Sequence, residues 1–86
     1  MFLGTAAVTR HGLMQSDIIL VQAERNLLKR ADEIVVLVDS SKFSASARYV
    51  LCELEGVHTV ITDSGVDDTS AKLIEDCGVK LIVVSP

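Results

Sequence analysis

The sequence has no tryptophan, one tyrosine and two phenylalanines, so aromatic side chains cannot anchor its interior. Any core must be aliphatic, drawn from Val, Ile, Leu and Ala, which fits buried parallel strands covered by helices. Proline is confined to Pro86, and no Pro/Gly/Ser-rich linker or repeat divides the chain. Cysteine is confined to Cys52 and Cys77. Without a Cys-x-x-Cys pair there is no zinc or dithiol redox signature, and two free thiols are expected. Long apolar runs are also missing. Ile34 to Val38 and Leu81 to Val84 fall far short of the ~20 residues that cross a bilayer, and no secretory signal stands at the start. The expected setting is cytoplasmic, with no membrane partner.

Basic residues are outnumbered: 8 Lys and Arg against 12 Asp and Glu give a net charge of −4. The phosphate backbone of nucleic acid repels such a chain as a whole. The one basic cluster, Arg25, Lys29 and Arg30, reads as a solvated helix face. With 86 residues, the chain suits one small domain or a fragment of a larger one, only marginally able to stabilise itself.

What is present alternates between strand and helix signals. Phe2-Leu3 is a short apolar run stopped by Gly4-Thr5, and Thr9 to Met14, containing Gly12, reads as a loop. A helix is expected from about Asp17 to Ala31, with Ser16 as N-cap and Lys29 and Arg30 in its last turn. Ile34 to Val38 is a strand that ends in Asp39-Ser40-Ser41-Lys42. Ala45 to Leu51 is either a strand or a short helical turn. Val57 to Thr62 is another strand, followed by Asp63-Ser64-Gly65. Asp67 or Asp68 caps a helix that runs to Cys77, with Gly78 as its C′ residue, and Val79 to Val84 closes the chain. The fold class is α/β, a mainly parallel sheet with helices. Two helices barely cover such a sheet, so other strands are expected from outside the chain or from another subunit.

Ligands of open parallel sheets bind at the carboxyl ends of the strands. Those ends are Gly4-Thr5, Asp39-Ser40-Ser41-Lys42, Asp63-Ser64-Gly65 and Ser85, all small and polar. Asp, Ser and Gly also simply make good turns, but Lys42 after two serines adds nothing to a turn and suits a phosphate or sugar oxygen. Glu24 is the more telling residue. At 100° per residue it falls within the apolar stripe of Leu20, Leu27, Leu28 and Ala31, with Val21 and Ala23 at the margins. A carboxylate there either reaches the stripe's edge to pair with Lys42 or an arginine, or points into a polar pocket. His11 either lines that pocket or is merely solvated, and His58 is structural or exposed. No His/Asp/Glu spacing resembles a metal site and no glycine-rich phosphate loop appears, so neither metal nor cofactor is expected.

Phe2-Leu3-Gly4-Thr5, His11-Gly12-Leu13, Val36-Leu37-Val38-Asp39-Ser40-Ser41-Lys42-Phe43, Val60-Ile61-Thr62-Asp63 and Gly78 to Val84 together resemble, in order, the sensor domain of DeoR-family transcriptional regulators. The resemblance makes residues 1–86 the C-terminal portion of a sugar-phosphate sensor, with a winged helix-turn-helix and the first strands absent. It implies a partial ribose-5-phosphate isomerase-like (NagB-type) fold. It also implies a phosphorylated sugar or related metabolite as ligand, DNA contact only through the missing module, and a homo-oligomer. In the isomerase, a helix glutamate and an Asp-Ala-Ser-Lys motif surround the sugar. Glu24 and Lys42 match these in type and in their separation of 18 residues. The isomerase's Gly-Ala-Asp-Glu motif is replaced by Gly4-Thr5-Ala6-Ala7, which has no carboxylate, so binding without turnover is expected. The ligand-binding set on this reading is Gly4, Thr5, Glu24, Asp39, Ser40, Ser41 and Lys42. Two alternatives remain: a sugar-phosphate isomerase that has shed part of its catalytic set, and an α/β oligomerisation module without ligand.

Overall fold

The computed structural model describes residues 1–85. Its four-stranded parallel sheet contains β1 (Phe2–Leu3), β4 (Val35–Leu37), β6 (Thr59–Asp63) and β7 (Lys80–Val84), in that spatial order. A second, antiparallel sheet pairs β2 (Ala7–Thr9), β3 (Gly12–Gln15) and β5 (Tyr49–Cys52). Two helices complete the fold, α1 (Ile18–Leu28) and α2 (Asp68–Asp76), with short 3₁₀ turns at Ser40–Phe43 and Leu54–Gly56.

The parallel strands step one way across the sheet, and right-handed crossovers between such strands all fall on one face. Burial follows the two-residue side-chain period. Leu3, Val36 and Val60 form an in-register row on the covered face, and Val36 and Val60 are 0% exposed. Their chain neighbours point the other way: Phe2 is 71% exposed and Leu37 47%. The covered row joins Val8, Leu13 and Leu51 of the antiparallel sheet, Val21 of α1 and Ile74 of α2 in one aliphatic core. The other face is bare, in keeping with the expectation that two helices barely suffice.

Three expectations need correction. Residues 9–14 are not a plain loop. They belong to a β2–β3 hairpin in which Ala7 faces Met14 and Thr9 faces Gly12. All four residues of β3 are buried, so the polar alternation that betrays a half-exposed strand never appears. Gly12 has φ of +123°, and a Cβ there would overlap the Cys52 carbonyl, so only glycine lets β3 lie against β5 at this point. His11 is exposed in the hairpin turn, its backbone N–H donating to the Thr9 hydroxyl.

The second correction concerns α1. Asp17, not Ser16, is its N-cap, accepting from the Ile19 N–H at 2.9 Å and the Leu20 N–H at 3.4 Å. The third concerns its stripe. Val21 is buried at its centre, not at its margin, while Leu20 and Leu27 are exposed. The ambiguous stretch before Leu51 resolves as a strand, β5. α2 follows expectation: Asp67 accepts from the Ser70 N–H at 2.6 Å, and Gly78 follows the Cys77 C-cap with φ of +79°.

The one-sided core yields a paired test on adjacent residues of β4. Val36→Ala leaves a cavity in the core and is expected to cost about 2–3 kcal/mol. Leu37→Ala is expected to cost under about 1 kcal/mol. Thermal unfolding of both variants measures this, and equal losses would mean that the second face is covered too.

Candidate functional site

The carboxyl ends of β1, β4 and β6 carry two hydrogen-bonded clusters. The first gathers around Glu24. Val21, Glu24, Leu28 and Ala31 fall within about 80° of one another on the helical wheel, and Val21 is at the centre of the core. Glu24 therefore does sit on the inward side of α1, although the stripe is turned from the one expected. Its partner is neither Lys42 nor an arginine. The Gln15 amide, at the end of β3, donates to Glu24 Oε1 at 3.0 Å and reaches the Gly4 carbonyl at 3.5 Å. Burial pushes the Glu24 carboxyl above its ordinary value, and the Gln15 hydrogen bond offsets part of that rise. Thr5 takes no part at the surface: it is buried and its hydroxyl donates to the Met14 carbonyl at 2.7 Å.

The second cluster ties the loop after β4 to the loop after β6. Asp39 caps the 3₁₀ turn, accepting from the Ser41 N–H at 3.0 Å and from the Ser41 hydroxyl. It also pairs with Lys42 at 3.9 Å. Asp63 accepts from the Ser40 N–H at 3.1 Å and the Gly65 N–H at 2.9 Å. Gly65 permits this closeness, since a Cβ there would lie 2.5 Å from Ser40 Oγ and 3.0 Å from Asp63 Oδ1. The Ser41 hydroxyl and N–H hold Asp39 below the ordinary carboxylate range, and the Ser40 hydroxyl and N–H do the same for Asp63. Both aspartates are therefore anionic at neutral pH.

Of the residues expected at the site, Gly4 and Glu24 come together through Gln15, Ser41 and Lys42 gather on Asp39, and Ser40 is held by Asp63. The clusters stand on adjacent strands, and a Cβ on Gly4 would lie 3.9 Å from the Leu37 carbonyl oxygen of β4. Among the described residues no hydrogen bond or ion pair joins Glu24 to Lys42.

Two polar side chains beside these clusters escape a reading of the sequence. Gln15 ends the buried run Leu13-Met14-Gln15, and its polar amide there was the available signal. Thr62, before Asp63 on β6, is 2% exposed and its hydroxyl has no hydrogen-bond partner among the described residues. No spacing rule marks it. Arg25 of the basic cluster is structural, since its Nε donates to the Leu51 carbonyl at 3.3 Å and its Nη2 to that of Val50. Among the described residues no three His, Cys, Asp or Glu side chains are placed to hold a metal ion. No described helix is long and apolar enough to cross a membrane.

A profile of the DeoR C-terminal sensor domain matches residues 1–64. The chain belongs to this family. The DeoR-type sensor is 34% identical over 61 residues to the uncharacterised HTH-type transcriptional regulator YulB of Bacillus subtilis, covering 71% of the chain and 24% of the relative. It is 29% identical over 84 residues to UlaR of Shigella dysenteriae, an HTH-type transcriptional regulator, covering 98% of the chain and 34% of that protein. A third relative, IolR of Bacillus subtilis, is 28% identical over 64 residues, which cover 74% of the chain and 26% of IolR. The matched residues thus span only about a quarter to a third of the length of these curated relatives. They are named as transcriptional regulators, a non-enzymatic role that goes against the isomerase alternative.

Two substitutions test what these side chains contribute to stability. Because folding raises the Glu24 pKa, its contribution to stability is complete below the ordinary value of 4.5 and is lost as the pH rises through the folded-state value. Glu24→Gln removes that loss and can keep a bond to Gln15. Its melting temperature is expected to match or exceed the wild type at pH 7.5, with the gap closing below pH 4.5. A wild type that is the more stable at neutral pH would show Glu24 to be a structural anchor. Thr62→Val replaces an unpartnered buried hydroxyl with a methyl of similar shape, and a gain of about 1 kcal/mol is expected. A lower melting temperature would show that the hydroxyl is bonded within the fold.

Proposed function

We propose that this chain is the effector-sensing part of a DeoR-type transcriptional regulator and binds a phosphorylated sugar or closely related polyol at the carboxyl ends of β1, β4 and β6. The reading is carried by one observation: Glu24 lies on the inward side of its helix, bonded to Gln15 beside Gly4, next to the strand whose loop holds Asp39 and Lys42. Carboxylates and a carboxamide accept and donate to sugar hydroxyls, and Ser40 and Ser41 add short donors. Lys42, half-buried at the loop, supplies the cation for a phosphate. Thr5 plays a supporting part, holding the turn after β1 against β3 through Met14.

The same groups are poorly set for turnover. Moving a proton between sugar carbons needs a base at the reacting atoms and acids to polarise the substrate. Ala6 and Ala7 stand where the isomerase carries its carboxylates, and Asp39 and Asp63 are kept ionised. In the whole regulator, ligand binding alters DNA affinity by favouring one conformational or assembly state. The DNA-reading helix-turn-helix lies outside this chain, as the naming of the relatives supports. A cytoplasmic homo-oligomer is the expected working form.

Calorimetric titration with ribose 5-phosphate, ribose and inorganic phosphate tests the site. Lys42→Ala is expected to weaken the sugar phosphate about tenfold and to leave ribose unchanged, whereas Glu24→Gln weakens both sugars. Silence across a panel of sugar phosphates, with the protein folded, would overturn the reading.

A further inference from the structure

The cationic side of α1 borders a cavity that sugar recognition does not use. It has a volume of about 290 Å³ and is floored by Leu28, Ile34 and Leu51, with Arg25 and Lys29 on its rim. Ile34 immediately precedes β4, so the cavity opens at the amino end of the parallel sheet, away from Gly4, Asp39 and Asp63. That volume lies at the small end of ligand pockets. It holds roughly ten waters at ~30 Å³ each, and an aliphatic floor offers them no hydrogen bonds.

The rim supplies one kind of charge. Arg25 is fixed in place by its bonds to the Val50 and Leu51 carbonyls, which occupy Nε and Nη2 and leave its charge at the cavity mouth. Lys29, one turn along α1, is exposed and forms no ion pair among the described residues. Arg30 follows it. Four acids, Glu24, Glu33, Glu53 and Glu55, adjoin lining residues in the sequence, and none of them lines the cavity.

We propose that this cavity binds a small amphipathic monoanion, a carboxylate on a compact apolar ring or branched chain. The apolar body rests on Leu28, Ile34 and Leu51, and the carboxylate faces Lys29 and the free edge of Arg25. A sugar phosphate is the wrong ligand here, because an aliphatic floor leaves its hydroxyls unpaired. Glu24 and Arg25 are adjacent on α1, so one helix serves a ligand at each end of the sheet.

Amide chemical-shift titration of the 86-residue chain with benzoate and, separately, with benzyl alcohol tests this. Benzoate is expected to give saturable shifts at Leu28, Ile34, Leu51, Cys52 and Gly56. Benzyl alcohol, which has the same ring without the charge, is expected to bind about fivefold more weakly. Lys29→Gln, a change at an exposed side chain, is expected to lower benzoate affinity about three- to fivefold and to leave benzyl alcohol unaltered. The proposal is overturned if benzyl alcohol binds as tightly as benzoate or if Lys29→Gln changes nothing. It is equally overturned if the shifts appear at Gly4, Gln15 and Asp39 instead, or if none appear while the spectrum stays folded.

Discussion

The rotation of α1 about its own axis is the constraint on which the rest of the molecule depends. Val21 fixes it by filling the centre of the core, Arg25 by reaching the carbonyls of β5, and Glu24 by meeting Gln15 at the end of β3. A slip of one residue turns a helix by about 100°. Such a slip would carry Glu24 into solvent, expose Val21 and strip the edge of β5 of its donors. Because three different interactions fix one angle, the helix is both locked against the antiparallel sheet and the carrier of the inward carboxylate.

The electrostatics of the carboxyl end follow from which elements carry each acid. Glu24 comes from a helix face turned toward the core, where burial disfavours its charge. Asp39 and Asp63 come from loops, where serine hydroxyls and backbone N–H groups favour theirs. Neighbouring acids are thus pushed in opposite directions, and on acidification Glu24 takes up its proton before either aspartate. In an enzyme such a division assigns a general acid and a general base. Here the loop aspartates are spent on capping and on tying β4 to β6, so neither is free to act as the partner acid or base of Glu24.

Much of this was legible in the residues because it is local. Apolar runs of strand length at Ile34, Val57 and Val79 announced the parallel strands, and Asp67 and Gly78 announced the ends of α2. The antiparallel sheet was hidden for the opposite reason. β3 is buried along its whole length and so lacks alternation, and its need for Gly12 arises from Cys52, forty residues away in the chain. Glu24 could be singled out as an acid on the wrong side of a helix, but its partner could not. Gln15 becomes its neighbour only when the hairpin folds back over α1. The stripe itself was misjudged at Leu20 and Leu27, since a small fold gives the helix only one covered side.

The bare face of the parallel sheet bears on how self-sufficient the site is. A parallel sheet ordinarily buries both faces, and here Phe2 and Leu37 stand in water on one of them. Yet the helix bearing Glu24, the hairpin bearing Gln15 and the 3₁₀ turn bearing Lys42 all lie in connections between the sheet's own strands, and Val21 and Leu13 of those segments pack into the core on the covered side. The bonds that set the two clusters therefore close within the 86 residues. Whatever covers the other face changes how firmly the sheet is held, but every group of the proposed site at its carboxyl end belongs to this chain.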